Sequence, residues 1–247
     1  MKQLIEKYTT EDLSVWSLLF ERQVNNLEQK ACSAYMESLE RMNEVLNPNE
    51  MPNFDRINHW FKKTTGWEIY CVPGLIEVGD FFDLLAEKRF PSSTWLRTRE
   101  KLDYLEEPDM FHDIFGHIPL LCNPHFSNFV HAFGKLGKQL KRNPERLTEL
   151  QRLYWFTIEF GLILEQGELR IFGAGILSSF HESIACLSNK EVMHIPFDLE
   201  HIIRTDFCTS ELQQRYFVIN QLEQLETAVQ TLSTLFKHDL DLISSSI

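Results

Sequence analysis

Apolar residues recur three or four positions apart along most of this chain, and no other feature restricts its fold as strongly. Such spacing aligns apolar side chains on one face of an α-helix. Comparable spacing covers residues 54–65, 80–89, 110–116, 126–140, 146–166, 178–187 and 222–236. Near the N-terminus the repeat comprises Trp16, Leu19, Val24, Leu27, Ala31, Tyr35, Leu39 and Met42. The sequence therefore predicts a mainly α fold of packed amphipathic helices.

Two short segments depart from helical spacing and predict β-strands. Trp67 to Val72 alternates weakly and is closed by Pro73-Gly74, while Glu168 to Phe172 runs into Gly173-Ala174-Gly175. Alternation bounded by glycine or proline is typical of a strand. We expect these strands to be small additions to helices and not a central sheet. No repeat, low-complexity tract or linker divides the chain, so one domain over residues 1–247 is expected.

Composition and charge argue against several functional classes. The net charge of −12 disfavours nucleic acid or anionic membranes as partners, because both require a basic surface. No apolar run approaches the roughly 18 residues that span a bilayer, and the N-terminus has no secretory signal. The five cysteines form no C-x-x-C pair, which is typical of free thiols in a reducing compartment. We expect a cytoplasmic protein.

The segment from Pro108 to Leu121 contains two histidines, His112 and His117, five residues apart. On an ideal α-helix five residues turn through about 500°, which leaves the two side chains roughly 140° apart. Both can face one metal ion only if the helix loosens or ends between them, and Gly116 and Pro119 permit this. The alternative is two unrelated structural histidines, which short motifs of this kind often are.

A third ligand candidate, Glu159, lies among aromatic and aliphatic residues in the segment 154–162. A carboxylate there is costly to bury unless it is paired, protonated or bound to metal. Two histidines and one carboxylate form the facial triad of non-haem iron(II) oxygenases. The same ligands suit catalytic zinc, with Asp113 as the general base of a hydrolase. A non-enzymatic alternative, an acidic helical interaction module, would leave all three side chains in polar surroundings.

Three segments together resemble the pterin-dependent aromatic amino acid hydroxylases. Residues 108–121 are similar to the iron-binding signature of that family, 154–162 to its glutamate-ligand helix, and 172–182 to its Gly-Ala-Gly turn and following helix. The segments occur in the family's order with compatible gaps, and the likeness fades after about Val218. The resemblance implies a single catalytic domain of packed helices with a few short β-strands.

The resemblance also implies which residues bind the metal and the substrate. His112, His117 and Glu159 would hold iron(II). Arg97 would pair with the carboxylate of the amino acid, a role that suits a guanidinium with two parallel donors. The residues implied beside the amino acid are Trp155, Gly175 and Ser178. In the family this serine also bonds a ligand histidine, which fixes the orientation of the ring.

Four further residues are implied around the cofactor and the iron. Phe81, in a loop that runs from about Gly74, would stack on the pterin, and Asp113 would accept a hydrogen bond from it through water. Tyr154 would lie near the iron. Glu182 would lie behind the site, paired with Arg97 or with another donor.

From the residues alone, each of these assignments has a plainer structural alternative. Arg97 could be one of several surface cations, since exposed charges are the rule. Trp155 and Phe81 could be helix core, and Gly175 could serve a tight turn. Ser178 could cap a helix.

The function implied is hydroxylation of an aromatic amino acid at iron(II), with tetrahydropterin and O2 as cosubstrates. We expect L-phenylalanine to be converted to L-tyrosine, a phenylalanine 4-monooxygenase activity; tyrosine and tryptophan hydroxylation are the alternatives on the same framework. Phenylalanine is preferred because the chain is short, starts close to the catalytic domain and has no tetramerisation tail, as in bacterial members. We also expect no N-terminal regulatory domain and a monomeric state.

Overall fold

The computed structural model describes residues 2–103 and 107–244, and helices form its framework. Within those residues the α-helices are α1 (Thr10–Leu27), α2 (Ser33–Arg41), α3 (Phe54–Lys62), α4 (Val78–Ala86), α5 (Pro124–Gln139), α6 (Pro144–Tyr154), α7 (Ala174–Leu177), α8 (Phe180–Ser188), α9 (Leu199–Arg204), α10 (Glu223–Leu235) and α11 (Lys237–Ser244). The predicted mainly α fold is confirmed. No described helix has the length and apolarity that a bilayer crossing requires.

The first helix begins where the run Thr9-Thr10-Glu11-Asp12 predicts it, because these are residue types of the N-cap and first turn. Thr9 and Asp12 form a reciprocal capping box, in which each side chain accepts the backbone N–H of the other. Such a box satisfies two of the N–H groups that a helix start leaves unpaired. The apolar face of α1 carries Trp16 and Leu19 into the core, where both are almost completely buried. The indole N–H of Trp16 donates to the carbonyl of Asn47.

Helices α4 and α5 pack closely because glycines replace side chains on the facing side of α5. A Cβ on Gly134 would lie 2.5 Å from the Leu85 Cβ, and a Cβ on Gly137 would lie 2.0 Å from the Phe82 ring. Without those Cβ atoms the two helix backbones can approach each other. The contact fixes the position of α4, which forms one wall of the cavity described below.

Six short strands form two sheets within the described residues. The strands β1 (Glu68–Cys71) and β2 (Arg89–Ser92) pair in parallel. The others, β3 (Leu162–Glu165), β4 (Glu168–Ile171), β5 (Met193–Pro196) and β6 (Arg215–Ile219), form a sheet in the order β4-β3-β6-β5. The two strands predicted from sequence are confirmed as β1 and β4. Both sheets are small additions to the helical framework, as expected, and the four-stranded sheet also includes β5 and β6 from the C-terminal part of the chain.

The helix predicted over residues 146–166 is wrong beyond Glu159. Leu162 to Glu165 is strand β3, which pairs with β4 in an antiparallel hairpin. Its two-residue loop, Gln166-Gly167, has positive φ at both positions, as the tight primed turns of hairpins require. The apolar run of β3 is compatible with either helix or strand, so the turn and the pairing decide the conformation.

Chain termini and segment ends also differ from expectation. The helix predicted over residues 80–89 ends at Ala86, and Arg89 begins β2. The sequence also predicts a frayed end over residues 241–247. Helix α11 extends to Ser244, and residues 245–247 lie outside the described residues.

Candidate active site

A π-helical turn over His112–His117 carries both histidines of the sequence motif. Its i to i+5 hydrogen-bond pattern widens the helix and brings residues five apart towards the same face. This is the loosening that the spacing requires if both rings face one point. Close packing leaves no room for a side chain at Gly116, where a Cβ would lie 2.8 Å from the carbonyl oxygen of Ala174.

A buried tyrosine supports the π-helical turn from behind. Four residues after Phe115 the chain has Pro119, which lacks the N–H that an α-helix would supply to the Phe115 carbonyl. The hydroxyl of Tyr35 donates to that carbonyl at 2.7 Å. Tyr35 is completely buried on α2, so the bond is shielded from water.

A second π-helical turn, Trp155–Glu159, presents the carboxylate. It follows α6 directly and closes with a bond from the Phe160 N–H to the Trp155 carbonyl. Within it the Thr157 hydroxyl donates to the Leu153 carbonyl, again a side-chain donor to a backbone carbonyl where the helix widens. Both segments that carry the candidate ligands therefore have the same unusual backbone form, which is often found at functional sites.

The three candidate ligands converge although the sequence separates them. The Nε2 atoms of His112 and His117 are 3.1 Å apart. The Glu159 carboxylate lies 3.3 Å from His117 Nε2 and 3.7 Å from His112 Nε2. Their donor atoms all lie within 4.8 Å of one another. Among the described residues this is the one group of three or more His, Cys, Asp and Glu side chains with such geometry.

Ser178 fixes which nitrogen of His112 is free. The Ser178 hydroxyl donates its single proton to the carbonyl of Ala174, so towards the imidazole it can only accept. Its oxygen lies 2.9 Å from His112 Nδ1, and Nδ1 must therefore carry the ring proton. The lone pair of Nε2 is left facing His117 and Glu159, which is the state that a metal ligand needs.

Electrostatics also suit a cation at this point. Burial lowers the pKa of His112 to about 4, so its ring is neutral near pH 7. Burial would raise the pKa of Glu159, but the two neighbouring histidines hold it down at about 2. Two imidazole nitrogens and one carboxylate facing a common point are the facial donor set of iron(II), and they also suit zinc. The residues therefore fit a divalent metal ion.

The surroundings of the three side chains are apolar. His117 is only 3% exposed, and the Phe90 ring centroid lies 4.7 Å from that of its imidazole. The Tyr154 ring centroid lies 6.5 Å from that of the same imidazole, with the two rings nearly parallel. The interaction-module alternative predicts polar surroundings, and the structure contradicts it.

A cavity of about 350 Å³ opens beside the three donors. Four of the predicted site residues, apart from the three donors, line it: Phe81, Asp113, Tyr154 and Trp155. Arg97, Gly175, Ser178 and Glu182 do not line it. The cavity is predominantly aromatic and aliphatic, with the donors at one end, and so it can hold a flat apolar ring next to a metal ion.

Phe81 lies in the first half of α4 and not in a loop, which corrects the expected local structure. Its ring contacts Tyr154 edge to face at 5.2 Å, and one part of it faces the cavity. Asp113 lines the same cavity, and its Oδ2 accepts the backbone N–H of Ser93 at 2.8 Å. Burial raises the pKa of Asp113 to about 7.

Trp155 also lines the cavity. Its ring lies 4.6 Å from that of Phe160 and stacks on Phe207 at 4.5 Å with an interplanar angle of 15°. Gly175 lies behind the ligand carboxylate, where a Cβ would come within 3.2 Å of Glu159 Oε2 and 2.9 Å of the Phe160 ring.

Arg97 is buried and already holds a partner, Asp109. Its Nε and one terminal nitrogen donate to both oxygens of that carboxylate at 2.9 Å. Another terminal N–H bonds the carbonyl of Leu102. A guanidinium has five N–H groups, so two remain for another carboxylate.

Asp109 is a site residue that sequence reasoning missed. Besides holding Arg97, it accepts the backbone N–H groups of Arg97 and His112. Burial would raise the pKa of Asp109, but Arg97 lowers it below its usual range. The one available signal was its position three residues before His112, where a carboxylate can accept from a helix start.

Glu182 is paired with a donor other than Arg97. Its Oε1 accepts the hydroxyl of Tyr216 at 2.5 Å and the backbone N–H of Gln213 at 3.0 Å. Burial raises the pKa of Glu182. This carboxyl therefore connects α8 to the strand β6 behind the cavity wall. Gln213 itself, which bonds Trp155, was not foreseen.

Fold and donors together define a helical protein with a facial two-histidine, one-carboxylate metal site. Residues 3–245 match the biopterin-dependent aromatic amino acid hydroxylases, and the chain belongs to that family.

Relatives in that family are similar over most of the chain. Phenylalanine-4-hydroxylase of Chromobacterium violaceum is 44% identical over 225 residues, which are 91% of this chain and 75% of that protein. The same-named protein of Pseudomonas aeruginosa is 44% identical over 218 residues, 88% of this chain and 81% of its own length.

Solved structures agree with this relationship. The cobalt-bound crystal structure of the Chromobacterium violaceum enzyme has a TM-score of 0.92 and 43% identity, and covers 98% of this chain and 86% of that one. The structure of the same enzyme with iron(III) and oxidised cofactor 7,8-dihydrobiopterin has a TM-score of 0.89 and 43% identity, and covers 96% of this chain and 86% of that one.

Proposed function

We propose that this protein hydroxylates L-phenylalanine to L-tyrosine, with iron(II) as its metal and with tetrahydropterin and O2 as cosubstrates. One observation carries the proposal: in a member of a biopterin-dependent hydroxylase family, three ligand side chains converge beside an aromatic cavity. Family membership separates this function from the zinc hydrolase, because a hydrolase has no use for a pterin. The similarity to proteins named phenylalanine-4-hydroxylase supports phenylalanine over tyrosine and tryptophan.

His112, His117 and Glu159 would hold the iron. When bound, the metal supplies the activation of oxygen that no side chain can perform. The contribution of the chain is to keep one nitrogen of His112 unprotonated through Ser178. It also keeps the three donors in an apolar enclosure from which bulk water is largely excluded.

Orientation of the amino acid would rest on Arg97 and Trp155. The two N–H groups that Arg97 retains can bond the substrate carboxylate while Asp109 holds the guanidinium in place. Trp155 would then guide the aromatic ring towards the three donors. Fixing both ends of a substrate lowers the entropic part of the barrier.

The pterin would lie between α4 and the histidines. Phe81 presents an aromatic face to the cavity, on which a flat heterocycle can stack. Asp113 has one carboxyl oxygen bonded to Ser93, and the other can accept from the pterin, directly or through water. Tyr154 lines the cavity between Phe81 and His117, with its ring 5.2 Å from that of Phe81 and 6.5 Å from the imidazole.

We further propose a cytoplasmic monomer that binds neither nucleic acid nor membranes. All five cysteines are free, and three of them are buried, as suits a reducing compartment. Size-exclusion chromatography with light scattering tests the oligomeric state, and a dimer mass at micromolar concentration would contradict it.

The decisive experiment identifies the hydroxylated amino acid and measures the rate at which it forms. Purified protein is incubated with iron(II), tetrahydropterin and each of phenylalanine, tyrosine and tryptophan separately, and products are identified by mass spectrometry. We expect tyrosine from phenylalanine at the highest rate. His112→Ala should lose metal binding and hydroxylation while remaining folded, whereas His125→Ala, an exposed histidine on α5, should retain both. Iron binding and activity in His112→Ala would refute the ligand assignment.

A further inference from the structure

Gln213 is a buried side chain that contacts the wall of the cavity from outside it. It lies just before β6 and is 8% exposed. Its Oε1 accepts the indole N–H of Trp155 at 3.0 Å. This is the polar contact of a ring whose faces pack on Phe160 and Phe207. The stacking contacts restrict tilting of the indole, and the hydrogen bond restricts rotation in its own plane.

The amide of Gln213 is held in one orientation. Its NH2 group donates to the carbonyls of Cys208 at 2.9 Å and Glu211 at 3.1 Å. A flipped amide would point its oxygen at those two carbonyls and its NH2 group at the indole N–H, losing all three bonds. The backbone N–H of Gln213 is fixed as well, because it donates to the buried Glu182.

These bonds join two parts of the cavity that are distant in sequence. Through Cys208 and Glu211, Gln213 holds the loop that carries Phe207. Through its oxygen it holds Trp155, and the two rings stack and both line the cavity. A buried amide with every polar atom bonded is a rigid connection, whereas a stacked pair alone can slide.

We propose that Gln213 is a positioning residue that sets the width of the aromatic-ring subsite, and thereby selects among aromatic amino acids, by holding Trp155 against Phe207. The inference rests on the proposed function, because it takes the ring of an aromatic amino acid as the occupant of the cavity. Loss of the bond should widen the subsite and favour the larger indole of tryptophan over the phenyl ring of phenylalanine.

The test compares Gln213→Met with Gln214→Met in the cobalt-loaded protein. Methionine has similar length but no acceptor, and Gln214 is the exposed neighbour, so it is the matched control. Dissociation constants for phenylalanine and tryptophan are measured by calorimetry. The indole N–H resonance of Trp155, recorded with diamagnetic zinc(II) in place of cobalt(II) and assigned by its loss in Trp155→Phe, reports the hydrogen bond directly.

We expect Gln213→Met to shift that resonance upfield and to lower the preference for phenylalanine over tryptophan on the order of tenfold, as loss of one buried hydrogen bond would do. Gln214→Met should change neither. Gln213→Glu keeps the acceptor for Trp155 but places an oxygen against the carbonyls of Cys208 and Glu211, so it should preserve the resonance and lower the preference. Gln213→Leu, which has no acceptor, replaces Gln213→Met if that variant does not fold.

Two results would overturn the inference: an unchanged resonance in Gln213→Met, or a shifted resonance with the same ratio of dissociation constants. Failure of the proposed function is a separate result, since it would be seen as wild-type protein that forms no hydroxylated product. Wild-type protein that binds neither amino acid would overturn both.

Discussion

At the scale of the residue, Glu182 is a buried carboxyl whose charged form the fold disfavours. Its raised pKa means that folding favours the protonated form, so its contribution to stability is present at low pH and is lost as pH rises from the unfolded value through the folded one. Glu182→Gln keeps an oxygen that can accept from Tyr216 and Gln213 but cannot ionise. We therefore expect the free energy of unfolding of the variant, relative to wild type, to increase between pH 4 and pH 8.

Urea unfolding at a series of pH values measures that difference, in which the titration of other groups cancels. A difference that stays constant across the series would show that Glu182 does not change its ionisation on folding.

At the scale of the element, the π-helical turn depends on a donor from another helix. Tyr35→Phe removes the hydroxyl that bonds the buried carbonyl of Phe115 and leaves the aromatic packing in place. An unsatisfied buried carbonyl costs about 1–3 kcal/mol, and we expect that loss in the free energy of unfolding. Tyr70→Phe, at a side chain that is 40% exposed, should change it by less than about 0.5 kcal/mol. Equal effects of the two changes would contradict this role.

Helix packing gives a second prediction at this scale. Gly137→Ala places a methyl group on the Phe82 ring, and relief of that overlap should cost about 1–3 kcal/mol. Gly79→Ala, in α4, meets only the flexible side chain of Lys141. Because alanine is a better helix former, the second change should stabilise by about 0.5–1 kcal/mol. Chemical denaturation measures the change in the free energy of unfolding for each variant. A stabilised Gly137→Ala would show that α4 and α5 can separate at no cost.

Elements differ in how well local sequence predicts them. The capping box at Thr9 and the spacing of α10 are signals contained within a few residues, and both led to correct predictions. Strand β3 pairs with β6, which is distant in sequence. The local sequence of either strand therefore does not identify this pairing. The three donors were selected by resemblance and chemistry. The partners of Arg97 and Trp155 could not be foreseen, because Asp109 and Gln213 have ordinary local sequence and acquire their contacts only in the folded chain.

At the scale of the whole molecule, metal binding should stabilise the entire fold, because the donors come from segments that are far apart in sequence. A ligand at a hundred times its dissociation constant adds about 2.7 kcal/mol. For a chain of this size that corresponds to roughly 5–11 °C in Tm. Differential scanning fluorimetry with and without cobalt(II) should show this shift in wild type and in His125→Ala. Its persistence in His117→Ala would place the ion elsewhere.

The hydrogen bond from Tyr35 to the Phe115 carbonyl couples the evolution of positions 35 and 119. Proline at 119 withholds a backbone donor, and the phenol at 35 replaces it. A descendant that exchanged Pro119 for another residue would release the tyrosine from selection for its hydroxyl. We therefore expect the pair to be epistatic, so that losing the hydroxyl is less harmful once residue 119 can donate, a coupling that a double-mutant cycle would measure.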